Sequence, residues 1–243
     1  MFKHQGRSRS YKHNLLIAIF LSFVAGIVNV AGFLAIKEMI THVTGHFAFF
    51  IHDASNLQFW KGTIYLFYIF CFLSGSFTSS YIIEKFRTNK KLNVFLIPIA
   101  VEIFILSSIA LISNFELEYR TEIIASSLLF AMGLQNSCVT KISDAVVRTT
   151  HLTGLFTDLG IELSQLFFCK SSIRMKWIKS KIKLRVYIIF FFFSGGLTGG
   201  FFYSEVGWEL NSLFVAAAIL LFSLFYDEIQ FSRKSLLKKI KEY

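Results

Sequence analysis

The stretch Thr150-His151-Leu152-Thr153-Gly154 has an earlier echo in Thr41-His42-Val43-Thr44-Gly45. A Gly-x-x-Asn precedes each copy: Gly26-Ile27-Val28-Asn29 in the first half and Gly133-Leu134-Gln135-Asn136 in the second. A Ser-Gly-x-x-Thr with two small residues follows each: Ser74-Gly75-Ser76-Phe77-Thr78-Ser79-Ser80, then Ser194-Gly195-Gly196-Leu197-Thr198-Gly199-Gly200. A single short match arises easily by chance. Three matches in the same order do not, so the chain carries an internal duplication.

The composition says where the duplicated units sit. The 243 residues are 54% hydrophobic and 17% aromatic, with thirty Phe and one Pro. Mean hydropathy is +0.58. A water-soluble domain of this make-up would expose large apolar patches. A bilayer accepts Phe, Leu and Ile on the outer surface of a helix bundle. The net charge of +10 would suit nucleic acid, but the basic residues fall in short clusters between apolar runs. That is the pattern of cytoplasmic loops, so the lipid bilayer is the expected partner and nucleic acid is not. Cys71, Cys138 and Cys169 lie in or beside apolar runs without C-x-x-C spacing. They read as small apolar fillers in reduced form.

Four regions follow: a basic cytoplasmic N-terminus (1–13), a first membrane repeat (14–113), a second, inverted repeat (114–226) and a basic amphipathic tail (227–243). Met1 to His13 followed by the apolar Leu15 to Ile36 resembles a signal peptide. The apolar run is too long for one and carries the first duplicated motif, so it reads as a mature span. Full spans are expected at 14–36, 62–84, 92–113, 122–140, 186–204 and 210–226, each measured against ~30 Å of hydrocarbon. The segments after each Thr-Gly are expected to be short broken or re-entrant helices. The stretch Gly45 to Ile51 is too short to cross, and Leu152 to Phe168 carries Asp158 and Glu162. With six crossings the N-terminus, the 84–91 loop, the 170–185 loop and the tail all fall inside, and all are basic. The loops at 114–122 and 204–211 fall outside and are poor in Lys and Arg. This satisfies the positive-inside rule and makes the fold all-α, with two inverted-topology repeats of the kind secondary transporters use.

The candidate site comes from the same motifs. Thr is a good N-cap and Gly permits close backbone approach, so Thr44-Gly45 and Thr153-Gly154 read as helix starts inside the membrane. Such a start presents free N–H groups and about half a positive charge. Two of them would face one site near the midplane, with Asn29, Gln135 and Asn136 as amides for a polar or anionic solute. The alternatives are tight packing for the glycines and interhelical hydrogen bonds for the amides. Glu102 near the middle of its span is either a proton-coupling group or a structural hydrogen-bonder. His42 and His151, in equivalent positions, would titrate near neutral pH. Asp158 and Glu162, spaced i,i+4, share a helix face. They line an aqueous route, pair with Arg148 or a basic loop, or form a polar boundary face, the last being favoured. His42 and His46 lack a third ligand at a known spacing, so no metal is expected. Phosphate-binding and nucleophile-elbow motifs are also missing.

Gly133-Leu134-Gln135-Asn136, followed by Val147-Arg148-Thr149-Thr150-His151-Leu152-Thr153-Gly154, resembles the YoaK-like family of bacterial inner-membrane proteins, a domain of unknown function. Ala25-Gly26 through Val30-Ala31-Gly32-Phe33, with Thr44-Gly45, is similar to that family's first motif. The resemblance runs from Leu15 to Tyr226. It departs at Asn29, where the family usually has Asp, and at His46, where it usually has Asn. It implies a multi-pass inner-membrane protein without an established activity. The expectation from the residues is a small secondary transporter or permease for a polar or anionic solute, without a cofactor. The alternative is a non-transporting protein that binds or assembles with a partner. An enzyme is not expected, because no nucleophile–base pair stands out. Self-association as a homodimer is expected, with the Ser74–Ser80 and Ser194–Gly200 faces serving internal packing.

Overall fold

A computed structural model describes residues 11–87, 94–116 and 118–226. Most of the basic N-terminus, half of the 84–91 loop (88–91) and the tail after Tyr226 therefore lie outside the described residues. Among those described, the chain is helical without strands. The helices are α1 (Tyr11–Ile36), α2 (Val43–Ser55), α3 (Phe59–Phe86), α4 (Leu96–Ile112), α5 (Arg120–Ile142), α6 (Leu152–Phe168) and α7 (Ser172–Gly200). A π-helical turn at Phe201–Glu205 prolongs α7. The last helix, α8, covers Glu209–Tyr226 and opens with a 3-10 turn at Glu209–Ser212. Five of these, α1, α3, α5, α7 and α8, are long and apolar enough to cross a membrane. This is the make-up of a multi-pass integral membrane protein. The sixth expected span, α4, is shorter at 17 residues. Pro98, the chain's only proline, lies in its first turn, where a missing N–H does no harm.

Local signals end α1 and α5 in the same way. Lys37 takes a left-handed conformation (φ 59°) and returns its N–H to Phe33 O at 2.8 Å. Asp144 and Ala145 do so after α5 (φ 54° and 59°), with the Ala145 N–H on Thr140 O at 2.8 Å. Each is a left-handed helix cap that turns the chain back along the span it has just left. Thr41 and Thr150 thereby come to lie beside α1 and α5.

The duplicated glycines explain how the bundle holds together. α1 crosses α7, and α3 crosses α5. A Cβ added at Gly26 would stand 2.0 Å from Phe192 O, and one at Gly195 would stand 2.0 Å from Phe23 O. In the other crossing, a Cβ at Gly133 would stand 2.1 Å from Phe72 O, and one at Gly75 2.1 Å from Phe130 O. Each phenylalanine named stands three residues before one of the four glycines. Both crossings thus pair a Gly-x-x-Asn with a Ser-Gly-x-x-Thr, backbone on backbone, the close approach that small residues permit between membrane helices. α1 and α5 lie mostly buried inside the bundle, while only a minor part of α3 and α7 is buried. The exposed side carries Phe70, Phe77, Phe190 and Phe193, which suits hydrocarbon.

One expected loop is not a loop. The basic stretch from Lys170 to Arg185 is helical from Ser172 onward and continuous with the span that follows. Ile178 and Leu184 are buried between its lysines and arginines, and straight-chain basic residues are good helix formers. The continuous helix has 34 residues and is about 51 Å long at the helical rise. That exceeds the ~30 Å hydrocarbon thickness by roughly fourteen residues, so the helix is long enough to cross and still leave its basic end in water.

Candidate functional site

α2 and α6 each begin two residues earlier than the Thr-Gly pairs imply. Their N-cap positions are His42 and His151, and neither side chain makes a capping hydrogen bond. Thr44 and Thr153 are second residues of their helices, not caps. The reason lies in the first threonine of each pentapeptide. Thr41 Oγ1 donates to Asn29 Oδ1 at 2.7 Å, and Thr150 Oγ1 donates to Asn136 Oδ1 at 2.9 Å, with Thr149 Oγ1 at 3.4 Å. These bonds pin each loop to the preceding span, and the chain enters its helix just after them.

The two pentapeptides meet. A cavity of about 200 Å³ is lined by Thr41, His42, Val43 and Thr44 from one copy and by Thr150 through Gly154 from the other, with Phe72 as a wall. The first N–H groups of a helix have no carbonyl one turn back, so two helix starts bring donors and partial positive charge to this space. Thr44, Thr153, Gly154, His42 and His151 are thereby brought together. Burial, the Arg148 guanidinium and His42 hold the His151 imidazole below its usual range.

The remaining expected site residues are elsewhere. Asn29 and Asn136 stand one layer behind the cavity, their oxygens taken by threonine hydroxyls. The buried Asn136 Nδ2 has no partner. Gln135 is buried, and its Nε2 donates to Leu21 O at 2.7 Å, tying α5 to α1. Gly45 does not line the cavity, and a Cβ there would meet Met39 Sδ at 2.8 Å. Glu102 is fully buried in α4 with neither carboxyl oxygen bonded, away from the cavity lining.

A second, polar cavity of about 420 Å³ adjoins the first. Its lining includes Arg148, His151, Gly154, Asp158, Lys181 and Arg185. His151 and Gly154 belong to both linings. Arg185 of α7 forks onto Glu162, with Nε and Nη2 at 2.8 and 2.9 Å from its two oxygens. Its Nη1 meets Asp158 Oδ2 at 3.1 Å. The partner of Asp158 and Glu162 is therefore a residue of the basic stretch and not Arg148. The residues around the first helix start are different. His46 is fully buried, its Nε2 donating to Met39 O at 2.8 Å and its ring 5.9 and 5.3 Å from those of Tyr65 and Tyr68. Tyr65 stands ten residues before Gly75, as Arg185 stands ten before Gly195. Among the described residues no group of three His, Cys, Asp or Glu is placed to hold a metal ion.

Sequence reasoning missed the roles of Thr41 and Thr150, although their place in the repeat marked them. It also missed Arg185, whose spacing from Gly195 was the available signal. A family model described as a protein of unknown function, DUF1275, matches residues 17–226, which take in every duplicated motif. The chain belongs to the DUF1275 family. That description assigns DUF1275 no activity, and the YoaK-like label is a finer statement than this match. No curated protein and no solved structure matches the chain.

Proposed function

We propose that this protein is a small permease-type carrier that moves a polar or anionic solute through the space between the starts of α2 and α6. The observation that carries this reading is the cavity walled by both copies of the duplicated pentapeptide. Irregular backbone at membrane depth is tolerated where it is buried or lines a cavity, and broken helices facing a shared site are the usual build of secondary transporters. Thr44, Thr153 and Gly154 would face the solute. Gly45, Asn29 and Asn136 would hold the helix starts, and Gln135 would fix α5 against α1. His42 and His151, being in the cavity wall, are better placed than Glu102 to carry a coupled proton. On this reading the protein is a carrier and not an enzyme.

Six crossings in two inverted repeats, split near residue 114, belong to the same proposal. Support comes from the equivalence of the two glycine crossings and from the charge pattern, which puts both termini inside. The bilayer would be the bacterial inner membrane, and a second copy would pack through exposed Phe-rich helices.

The test is a thermal-shift screen of the purified protein against small solutes, followed by binding measurements on Thr44→Val and Thr153→Val. Weaker binding by both variants, with unchanged yield, supports the site. Wild-type binding by both would leave the helix starts as packing devices, and the partner-binding alternative would take over.

A further inference from the structure

We propose that the second cavity is an anion entry site in which Arg185 Nη1 is the donor for a carboxylate or oxyanion, and in which Asp158 occupies that donor while the site is empty. The proposal rests on the carrier reading and names the class of solute together with the residue that meets it first.

The geometry divides the Arg185 guanidinium between two acids of different standing. Glu162 takes Nε and Nη2 in a bidentate fork, and its side chain is 7% exposed. This pairing fixes the plane of the guanidinium and neutralises one charge. Asp158 takes the remaining Nη1 at 3.1 Å, and its side chain is 51% exposed. Arg185 itself is largely buried, but Asp158 makes this single contact from a half-exposed position, where solvent screens the pair more than it screens the buried fork. A carboxylate arriving from solution can therefore replace Asp158 without disturbing the fork.

The surroundings favour such an exchange. Arg148 and Lys181 share the cavity wall with Arg185 and Asp158. Lys181 Nζ lies 3.8 Å above the Trp177 ring, and Arg148 is exposed. With Arg185 these give three cations against Asp158 and Glu162, so the empty cavity keeps an excess of positive charge. With its plane fixed by Glu162, the guanidinium holds the remaining Nη1 donor in a set direction for a carboxylate or oxyanion. The cavity adjoins the central space, with His151 and Gly154 in the wall of both. A Cβ at Gly154 would meet nothing within 4 Å, whereas one at Gly45 would meet Met39 Sδ. In the first half His46 is instead packed between Met39 O and the rings of Tyr65 and Tyr68.

The experiment uses the full chain in nanodiscs, with succinate and inorganic phosphate as probes, binding being measured by calorimetry. Asp158→Asn removes the internal competitor and should tighten binding of at least one probe by about fivefold, the equivalent of roughly 1 kcal/mol. Arg185→Gln should weaken the same probe by at least about thirtyfold, as loss of a charged donor does. Because Arg185→Gln leaves Glu162 buried and unpaired, the double variant with Glu162→Gln is measured beside it and should show the same loss. Arg185→Lys keeps the charge without the fork and should not restore wild-type affinity. The site is overturned if neither probe binds the wild type. It is also overturned if Asp158→Asn leaves binding unchanged or weaker, or if the double variant binds as wild type does. Proteoliposome flux of the bound probe separates the two proposals. Binding that follows Arg185 and Asp158 without flux would sink the carrier reading and keep this site. Flux that survives loss of Arg185 would do the reverse.

Discussion

At the scale of single residues, the threonines of the pentapeptide divide their work. Thr150 is buried and bonded to Asn136, so Thr150→Val leaves the Asn136 amide with only the long 3.4 Å bond from Thr149 on its oxygen and no partner on its Nδ2. A group left so is destabilising by about 1–3 kcal/mol, and the melting temperature in detergent should fall. Thr153 is exposed to the cavity and caps nothing, so Thr153→Val should melt as wild type does. Equal melting of the two variants would overturn this division. His151 gives a pH signature. Its folded pKa is held below the usual 6.5 by burial, Arg148 and His42. The unfolded chain therefore takes up the proton first as pH falls through that value, and stability declines with it. His151→Gln should flatten part of the decline in melting temperature between about pH 7.5 and about pH 5. Parallel curves for the two proteins would remove His151 from the explanation. The sequence announced the histidines and the Thr-Gly pairs, because repetition singles residues out. It could not announce that Thr41 and Thr150 hold Asn29 and Asn136, since a hydroxyl reaching back to the preceding span leaves no periodic trace.

Among the elements, the glycine crossings are the least forgiving. Gly133→Ala would press a methyl group against Phe72 O, and backbone does not yield as a side chain does. Overpacking of this kind is destabilising by about 1–3 kcal/mol or more, so Gly133→Ala should lose its monodisperse peak in size-exclusion chromatography. Gly154→Ala meets open space and should keep it. The reverse outcome would contradict the crossing geometry. Apolar length made the long helices legible, and the short α2 and α6 showed as an apolar run too short to cross and a mixed run carrying Asp158 and Glu162. The basic start of α7 was hidden because lysine and arginine signal a loop between spans and also suit the solvated end of a helix. Only the buried Ile178 and Leu184 decide between the two. The Arg185–Glu162 fork was hidden for a related reason. It joins residues 23 apart on two helices, and no local pattern specifies a pairing at that distance.

For the whole molecule, the proposed six-crossing topology predicts which side each loop faces. In a background with Cys71, Cys138 and Cys169 replaced, Glu116→Cys should react with an impermeant thiol reagent added to intact cells. Arg87→Cys should react only after lysis. Labelling of position 87 from outside would sink the topology. In nanodiscs the particle mass should correspond to two copies, and a strictly monomeric mass would remove the dimer. Each glycine crossing joins a helix of one half to a helix of the other, so neither half contains a crossing of its own. A polypeptide carrying one half alone would present Gly26 and Gly75, or Gly133 and Gly195, with no backbone opposite. On the inverted-repeat reading, an ancestor of half this length would have met its partner as a second copy inserted the other way up. It would have had to be made in both orientations at once, and fusion would have relieved it of that need. The seam should still be open. Fragments ending at residue 116 and beginning at residue 118, produced in the same cell, should find each other and copurify.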